Sequence, residues 1–145
     1  MSIGANLLLQ NNTANDHAGG RIEGCQVNVT IGAGARFLDN QVPSSGGNGG
    51  GGLRVGNTDA LLFQGPPVFR DNRAKFGGCI FIDNLKLLEV PSGSLFINNT
   101  ATDQGGCICA FGTNRVVMGR CARCSGCLDC MLGCLLRVGS PPSTH

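Results

Sequence analysis

At 145 residues the chain is long enough for one domain with a core. Charged residues make up only 14%, the net charge of +2 forms no basic stripe, and Tyr and Trp are absent. Nucleic acid is therefore not an expected partner, and neither is an aromatic platform for sugars or single strands. The 24 glycines with little Lys or Glu argue against helix bundles and suit an all-β, turn-rich chain.

The opening "MSIGANLLLQNN" lacks a basic stretch, and its apolar run is three leucines, so it does not read as a signal peptide. No apolar stretch approaches the roughly 20 residues that span a bilayer. The first recurring phrase is "LQNN" at 9–12, followed by Gly19-Gly20, "RIE", Gly24, "VNVTI" and the breaker "GAGA". The second is "FLDN" at 37–40, then a long loop, Gly51-Gly52, "LRV", Asn57, "ALLF" and "GPP". The third is "FRDN" at 69–72, Gly77-Gly78, "CIFI", Asp83-Asn84, "LKLLEV" and "PSGS". The fourth is "FINN" at 96–99, Gly105-Gly106, "CICAF", Gly112-Thr113-Asn114 and "RVVM".

From the second glycine to the next phenylalanine the distances are 17, 17 and 18 residues, whereas from asparagine to first glycine they are 7, 11, 5 and 6. A segment of fixed length is what stacked strands require, because a one-residue slip turns interior side chains outward. A segment of free length is what a solvent loop tolerates. Three short strands per 26–32 residues, repeated in register, describe one coil of a parallel β-solenoid, in which each coil needs its neighbours to bury its inner face. About four coils at roughly 4.8 Å each give a stack on the order of 20 Å tall.

Phe37, Phe69 and Phe96 are expected to form an interior aromatic column. Asn12, Asn40, Asn72 and Asn99 are expected at a corner, where side-chain amides form a ladder and asparagine tolerates left-handed backbone. The glycine pairs allow positive φ and close passage of the chain.

The phrases "FRDN…FGGCI" and "FINN…QGGCI" are similar to the F-x-x-N and G-G-A-I repeats of the chlamydial polymorphic outer-membrane protein family, with Cys79 and Cys107 where alanine is usual. "LQNN…AGGRI" and "FLDN…GGLRV" match more loosely, and the likeness covers residues 7–118. It implies a right-handed parallel β-helix, the coil sense that crossover chirality also favours. It further implies an extracellular or cell-surface, outer-membrane-associated setting and a non-catalytic structural or adhesive role towards a surface protein or glycan. Such passengers precede a membrane β-barrel, and no barrel-like run of alternating strands occurs here. A piece of a longer protein is the expectation.

The repeat predicts a fourth phenylalanine at 123 or 124, where Arg123 and Cys124 stand, so the solenoid is expected over 1–118 and an irregular Cys-rich tail over 119–145. Cys121, Cys124, Cys127, Cys130 and Cys134 lie in that tail, the last four spaced C-x2-C-x2-C-x3-C. The spacing resembles a ferredoxin run but lacks the following proline and a second cysteine set, and structural zinc sites use ligand pairs with a longer loop between. A metal site, disulfides and an end without selected chemistry all stay open. Cys79 and Cys107 share a column about 4.8 Å apart, within disulfide reach, but their side chains point the same way and read as small buried residues.

A carbohydrate-active β-helix protein, enzyme or sugar-binding remnant, is the alternative function. It needs clustered carboxylates, for which Asp39 and Asp71 are the candidates, although Asn98 continues their column and a solvated corner pair is the plainer reading. A Cys-rich metal-binding module is the second alternative. His17 and His145 have no identifiable nucleophile partner. "GGNGGGG" at 46–52 lacks the Gly-Lys-Ser/Thr ending of a phosphate loop and reads as loop lengthening. Asn11, Asn28 and Asn98 begin N-x-T sequons, relevant in a eukaryotic secretory route. No residue is assigned a catalytic, cofactor-binding or metal-binding role, no cofactor is expected, and binding is expected in the segments that vary, such as 41–50 and 73–76. The exposed ends of a solenoid are sheet edges open to self-association.

Overall fold

In-register repeats of apolar residues flanked by turn residues can bury their inner faces only by pairing with their own copies, one coil away. The computed structural model describes residues 1–43, 49–113, 115–119 and 123–125. In chain order its strands are β1 (Ser2–Ile3), β2 (Leu8–Gln10), β3 (Gly20–Glu23), β4 (Asn28–Ile31), β5 (Arg36–Leu38), β6 (Leu53–Phe63) and β7 (Val68–Arg70). There follow β8 (Arg73–Phe76), β9 (Ile80–Val90), β10 (Leu95–Ile97), β11 (Thr100–Gln104), β12 (Ile108–Phe111), β13 (Arg115–Met118) and β14 (Arg123–Ser125). Among the described residues there is no helix, hence none long and apolar enough to cross a membrane. Their strand pairings are parallel, and the chain is a β-solenoid of about four turns.

Three stacks make the walls. The phenylalanine phrases form the stack β2–β5–β7–β10–β14. A narrow second wall, β8–β11, is continued towards the N-terminus by single bridges from Thr13 to Gln41 and from Gln41 to Arg73. Here the structure departs from the expected free loop: 73–76 is strand, and only its length is adjustable. Coil four has one residue more than coil three in this wall, and the ladder absorbs it as a register shift between Ala101 and Gln104. The third wall is the large sheet of β1, β3, β4, β6, β9, β12 and β13. The two apolar runs expected in each coil stay separate in coils one and four but fuse in the middle into the 11-residue strands β6 and β9. Both bend at an asparagine with positive φ, Asn57 at 46° and Asn84 at 59°.

Register corrects two alignments. Gly20 pairs with Leu53, which sets Gly19 opposite Gly52 and Ala18 opposite Gly51, so Gly19-Gly20 is not the counterpart of the later glycine pairs. Leu53 pairs with Ile80, and Ile80 with Ile108, which sets Gly51 opposite Gly78 and Gly106, and Gly52 opposite Cys79 and Cys107. The structural glycine pair of coil two is therefore Gly50-Gly51, not Gly51-Gly52. A Cβ on Gly51 would lie 2.5 Å from Gly78 O, and one on Gly78 would strike Gly106 O and stand 2.7 Å from Thr100 N, so successive coils pass too closely for a side chain. Nor does the end of "GGNGGGG" merely lengthen a loop: Gly50, Gly51 and Gly52 occupy the places of Gly77, Gly78 and Cys79, whereas 44–48 lie outside the described residues. Counted from Gly51, Gly78 and Gly106, the arm to the phenylalanine position is 18 residues each time, ending at Phe69, Phe96 and Cys124. Cys124 is indeed the register partner of Phe96, so β14 carries the first stack past Met118. The rest of the tail, including Cys121, Cys127, Cys130, Cys134 and His145, lies outside the described residues.

Side chains of the phenylalanine stack and the large sheet meet in one core, centred on Phe37, Phe69, Phe96, Val55, Leu61, Ile80, Ile82 and Leu88, all buried, whereas Ala74 of the second wall packs with Ala18 and Val42 in a separate buried cluster. The Phe37 and Phe69 rings stack with centroids 4.4 Å apart and planes within 2°, and those of Phe69 and Phe96 are 5.4 Å apart within 5°. Leu9 takes the same register position above Phe37.

Candidate functional site

The repeated letters are used inside the stack. Asn12 Nδ2 donates to Asn40 Oδ1 at 2.9 Å, Asn40 Nδ2 to Asn72 Oδ1 at 2.9 Å, and Asn72 Nδ2 to Asn99 Oδ1 at 2.8 Å. The second amide hydrogen of each later member goes to a backbone carbonyl of the preceding coil: Asn40 to Leu9 O, Asn72 to Phe37 O and Asn99 to Phe69 O. Backbone N–H groups of Asn12, Asn40 and Asn72 donate to the same Oδ1 atoms. Asn40, Asn72 and Asn99 are fully buried, where an unsatisfied amide would be costly.

The ladder asparagines do not supply the left-handed turn. That conformation belongs to the residue before each: Asn11 at φ 56°, Asp39 at 55°, Asp71 at 57° and Asn98 at 53°. Asp39 and Asp71 are brought together in this exposed column, as expected, and their position is explained by backbone shape, since Asp and Asn tolerate the αL region. Arg70 Nε lies 3.2 Å from Asp71 Oδ2.

Cys79 and Cys107 are buried neighbours in the column that holds glycine at Gly19 and Gly52, in keeping with a place for small residues. The sequon residues Asn11, Asn28 and Asn98 are exposed. His17 is largely covered, its Nε2 2.9 Å from Asp16 Oδ2 and its Nδ1 buried without a partner. Burial pushes its pKa below the usual 6.5, with Arg21 and Arg54 acting in the same direction and Asp16 opposing. Among the described residues no three His, Cys, Asp or Glu side chains are grouped to hold a metal ion.

Two surfaces carry chemistry that letter-matching did not single out. The first is the outer face of β3, β6, β9 and β12, where strand alternation turns Arg21, Arg54, Phe81 and Cys109 into one row. Phe81 meets Phe76 at 6.2 Å and Phe111 at 5.8 Å between ring centroids, and Phe76 meets Phe111 edge-on at 6.4 Å. Arg54 lies over the Phe81 ring at 4.9 Å and Lys75 over the Phe76 ring at 5.3 Å, contacts worth about 0.5–1 kcal/mol each at exposed sites. Phe111 is 42% exposed. Alternation along β9 places Phe81 on the face opposite Ile80 and Ile82, whereas Phe76 comes from β8, a strand where the sequence predicts a loop.

The second surface is a cleft of about 430 Å³ at the bend of the large sheet, lined by Gln26, Asn57, Thr58, Asp59, Asn84 and Lys86. Asn84 Nδ2 donates to Asn57 Oδ1 at 2.9 Å, and Lys86 Nζ lies 2.6 Å from Asp59 Oδ1. Thr58 Oγ1 donates to Gly56 O at 2.9 Å.

No protein-family model, curated protein or solved structure matches the chain.

Proposed function

We propose that the chain is a structural and adhesive segment of a cell-surface or secreted protein, in the manner of polymorphic outer-membrane protein repeats, and not an enzyme. The observation that carries this reading is the inward use of the repeat. Phenylalanine, asparagine and glycine of the last three phrases serve their vertical neighbours, and this leaves the outward residues free to differ between coils. A scaffold that displays variable side chains on an invariant stack needs that division. Exposed Phe111 and half-buried Phe76, packed against the buried Phe81 and flanked by Lys75, supply apolar area and positive charge suited to a protein surface.

Beads coated with the folded chain test it on epithelial cell layers. Saturable attachment, reduced several-fold by the surface pair Phe111→Ser and Lys75→Glu with unchanged circular dichroism, is the expected result. Attachment no greater than that of beads carrying an unrelated β-solenoid would overturn the adhesive reading. A second reading, recognition of a glycan, is favoured by the corner cleft.

A further inference from the structure

The corner cleft owes its walls to a difference in length between coils. Glu23 pairs with Gly56 and Asn28 with Ala60, so four residues, 24–27, face three, 57–59. The extra residue of coil one leaves the ladder between β3 and β4 and puts the exposed Gln26 at one edge of the bend. Coils two and three, which have no such insertion, supply the other walls: Asn57, Thr58 and Asp59 from one, Asn84 and Lys86 from the next. A concavity between otherwise flush coils results.

We propose that this cleft is a binding subsite for a neutral saccharide unit. Its six lining side chains are all polar. The Asn84-to-Asn57 hydrogen bond uses one Nδ2 hydrogen of Asn84 and one acceptor position of Asn57. Among the described residues both hydrogens of Asn57 Nδ2 and the Oδ1 of Asn84 have no other partner, a donor and an acceptor set side by side on adjacent coils, and the Gln26 amide adds one of each. Adjacent donors and acceptors of this kind suit vicinal hydroxyl groups, each of which both gives and takes a hydrogen bond. Charge selects against acids: Lys86 is held by Asp59 at 2.6 Å, so the site has no net charge to offer, and a uronate or phosphate would have to displace that carboxylate. Thr58 is turned inward onto Gly56 O and shapes the floor. The volume lies within the range of about 300–1,000 Å³ typical of small-ligand sites. With no aromatic ring in the lining, binding rests on hydrogen bonds alone and is weak per subsite.

The inference does not depend on the adhesive reading, which the bead assay addresses through a different face. It is tested by nuclear magnetic resonance on the full chain, following side-chain amide signals of Gln26, Asn57 and Asn84 during titration with maltotriose, cellotriose, chitotriose and mannotriose, with trigalacturonate as the acidic probe. Saturable shifts confined to these amides and to Lys86 with at least one neutral trisaccharide are expected. Asn84→Ala should weaken binding about tenfold, the loss of one to two hydrogen bonds. Gln26→Ala, outside the ladders, should weaken it with the rest of the spectrum unchanged, which guards against a folding defect. Absence of saturable shifts with all four neutral probes, or tighter binding of trigalacturonate, would overturn the proposal.

Discussion

Asn72 uses its whole hydrogen-bonding capacity on its neighbours. Its two amide hydrogens go to Asn99 Oδ1 and Phe37 O at 2.8 Å each, and its oxygen accepts from the Asn40 backbone at 3.1 Å and side chain at 2.9 Å. Asn72→Ala therefore strands several buried groups and should cost about 3 kcal/mol or more in urea unfolding. Asn72→Asp makes a sharper test, because a carboxylate cannot donate to Asn99 Oδ1 or Phe37 O. Burial raises the folded-state pKa of such an acid above its unfolded value, so the variant is weakest near neutral pH and regains stability as pH falls through the folded pKa. Phe69→Ala, between Phe37 and Phe96, should cost about 3–5 kcal/mol. His17 gives the opposite sign of pH dependence. Its pKa is depressed by burial, so the unfolded chain binds more protons below 6.5, and stability falls as pH drops through 6.5 and levels off below the folded pKa. His17→Gln should remove that part of the pH profile.

Strands differ in how they tolerate an added residue, and the register shift in β11 marks where tolerance lies. A glycine inserted between Thr102 and Asp103 enlarges an irregularity already present and should cost less than about 1 kcal/mol. The same insertion between Leu95 and Phe96 changes the in–out phase of β10 and should cost at least the roughly 3 kcal/mol of an expelled phenylalanine, measured by thermal and urea unfolding. The sequence made the aromatic column and the amide ladder legible, because identical letters recur where identical neighbours are needed. The glycine register was not legible in coil two, since no side chain in Gly49–Gly52 marks which pair passes under Gly78. Counting from Gly20 and Gly52 gives 17 residues to the phenylalanine in both coils, whereas counting from the ladder counterparts Ala18 and Gly51 gives 19 and 18. The equal counts concealed the inserted residue that opens the cleft. Inward residues of β9, at Ile80, Ile82, Leu85, Leu88 and Val90, are likewise spaced by neither strand nor helix period, and the bend at Asn84 accounts for the three-residue step from Ile82 to Leu85.

At the scale of the whole solenoid, stability is set by how many neighbours a coil has. β6 pairs with β3 and β4 on one side and β9 on the other, and β9 pairs with β6, β12 and β13, whereas among the described residues β1 pairs only with β4 and β2 only with β5. The Phe37–Phe69–Phe96 stack has its midpoint at Phe69 in coil three, and the Asn12–Asn40–Asn72–Asn99 ladder has its midpoint between Asn40 and Asn72, so both reinforce the central coils. In a nearest-neighbour stack the outer turn opens first, and the central coils open only with the global transition. Amide hydrogen exchange should therefore be slowest in β6 and β9, with protection approaching the global unfolding free energy, and clearly faster in β1 and β2. Phe69→Ala weakens both contacts of the central column, so it should lower protection in β6 and β9 together while leaving the already fast β1 amides nearly unchanged. Uniform protection across all of these strands in the parent chain would mean that the solenoid opens as one unit, with coil-to-coil coupling stronger than the difference between one neighbour and two.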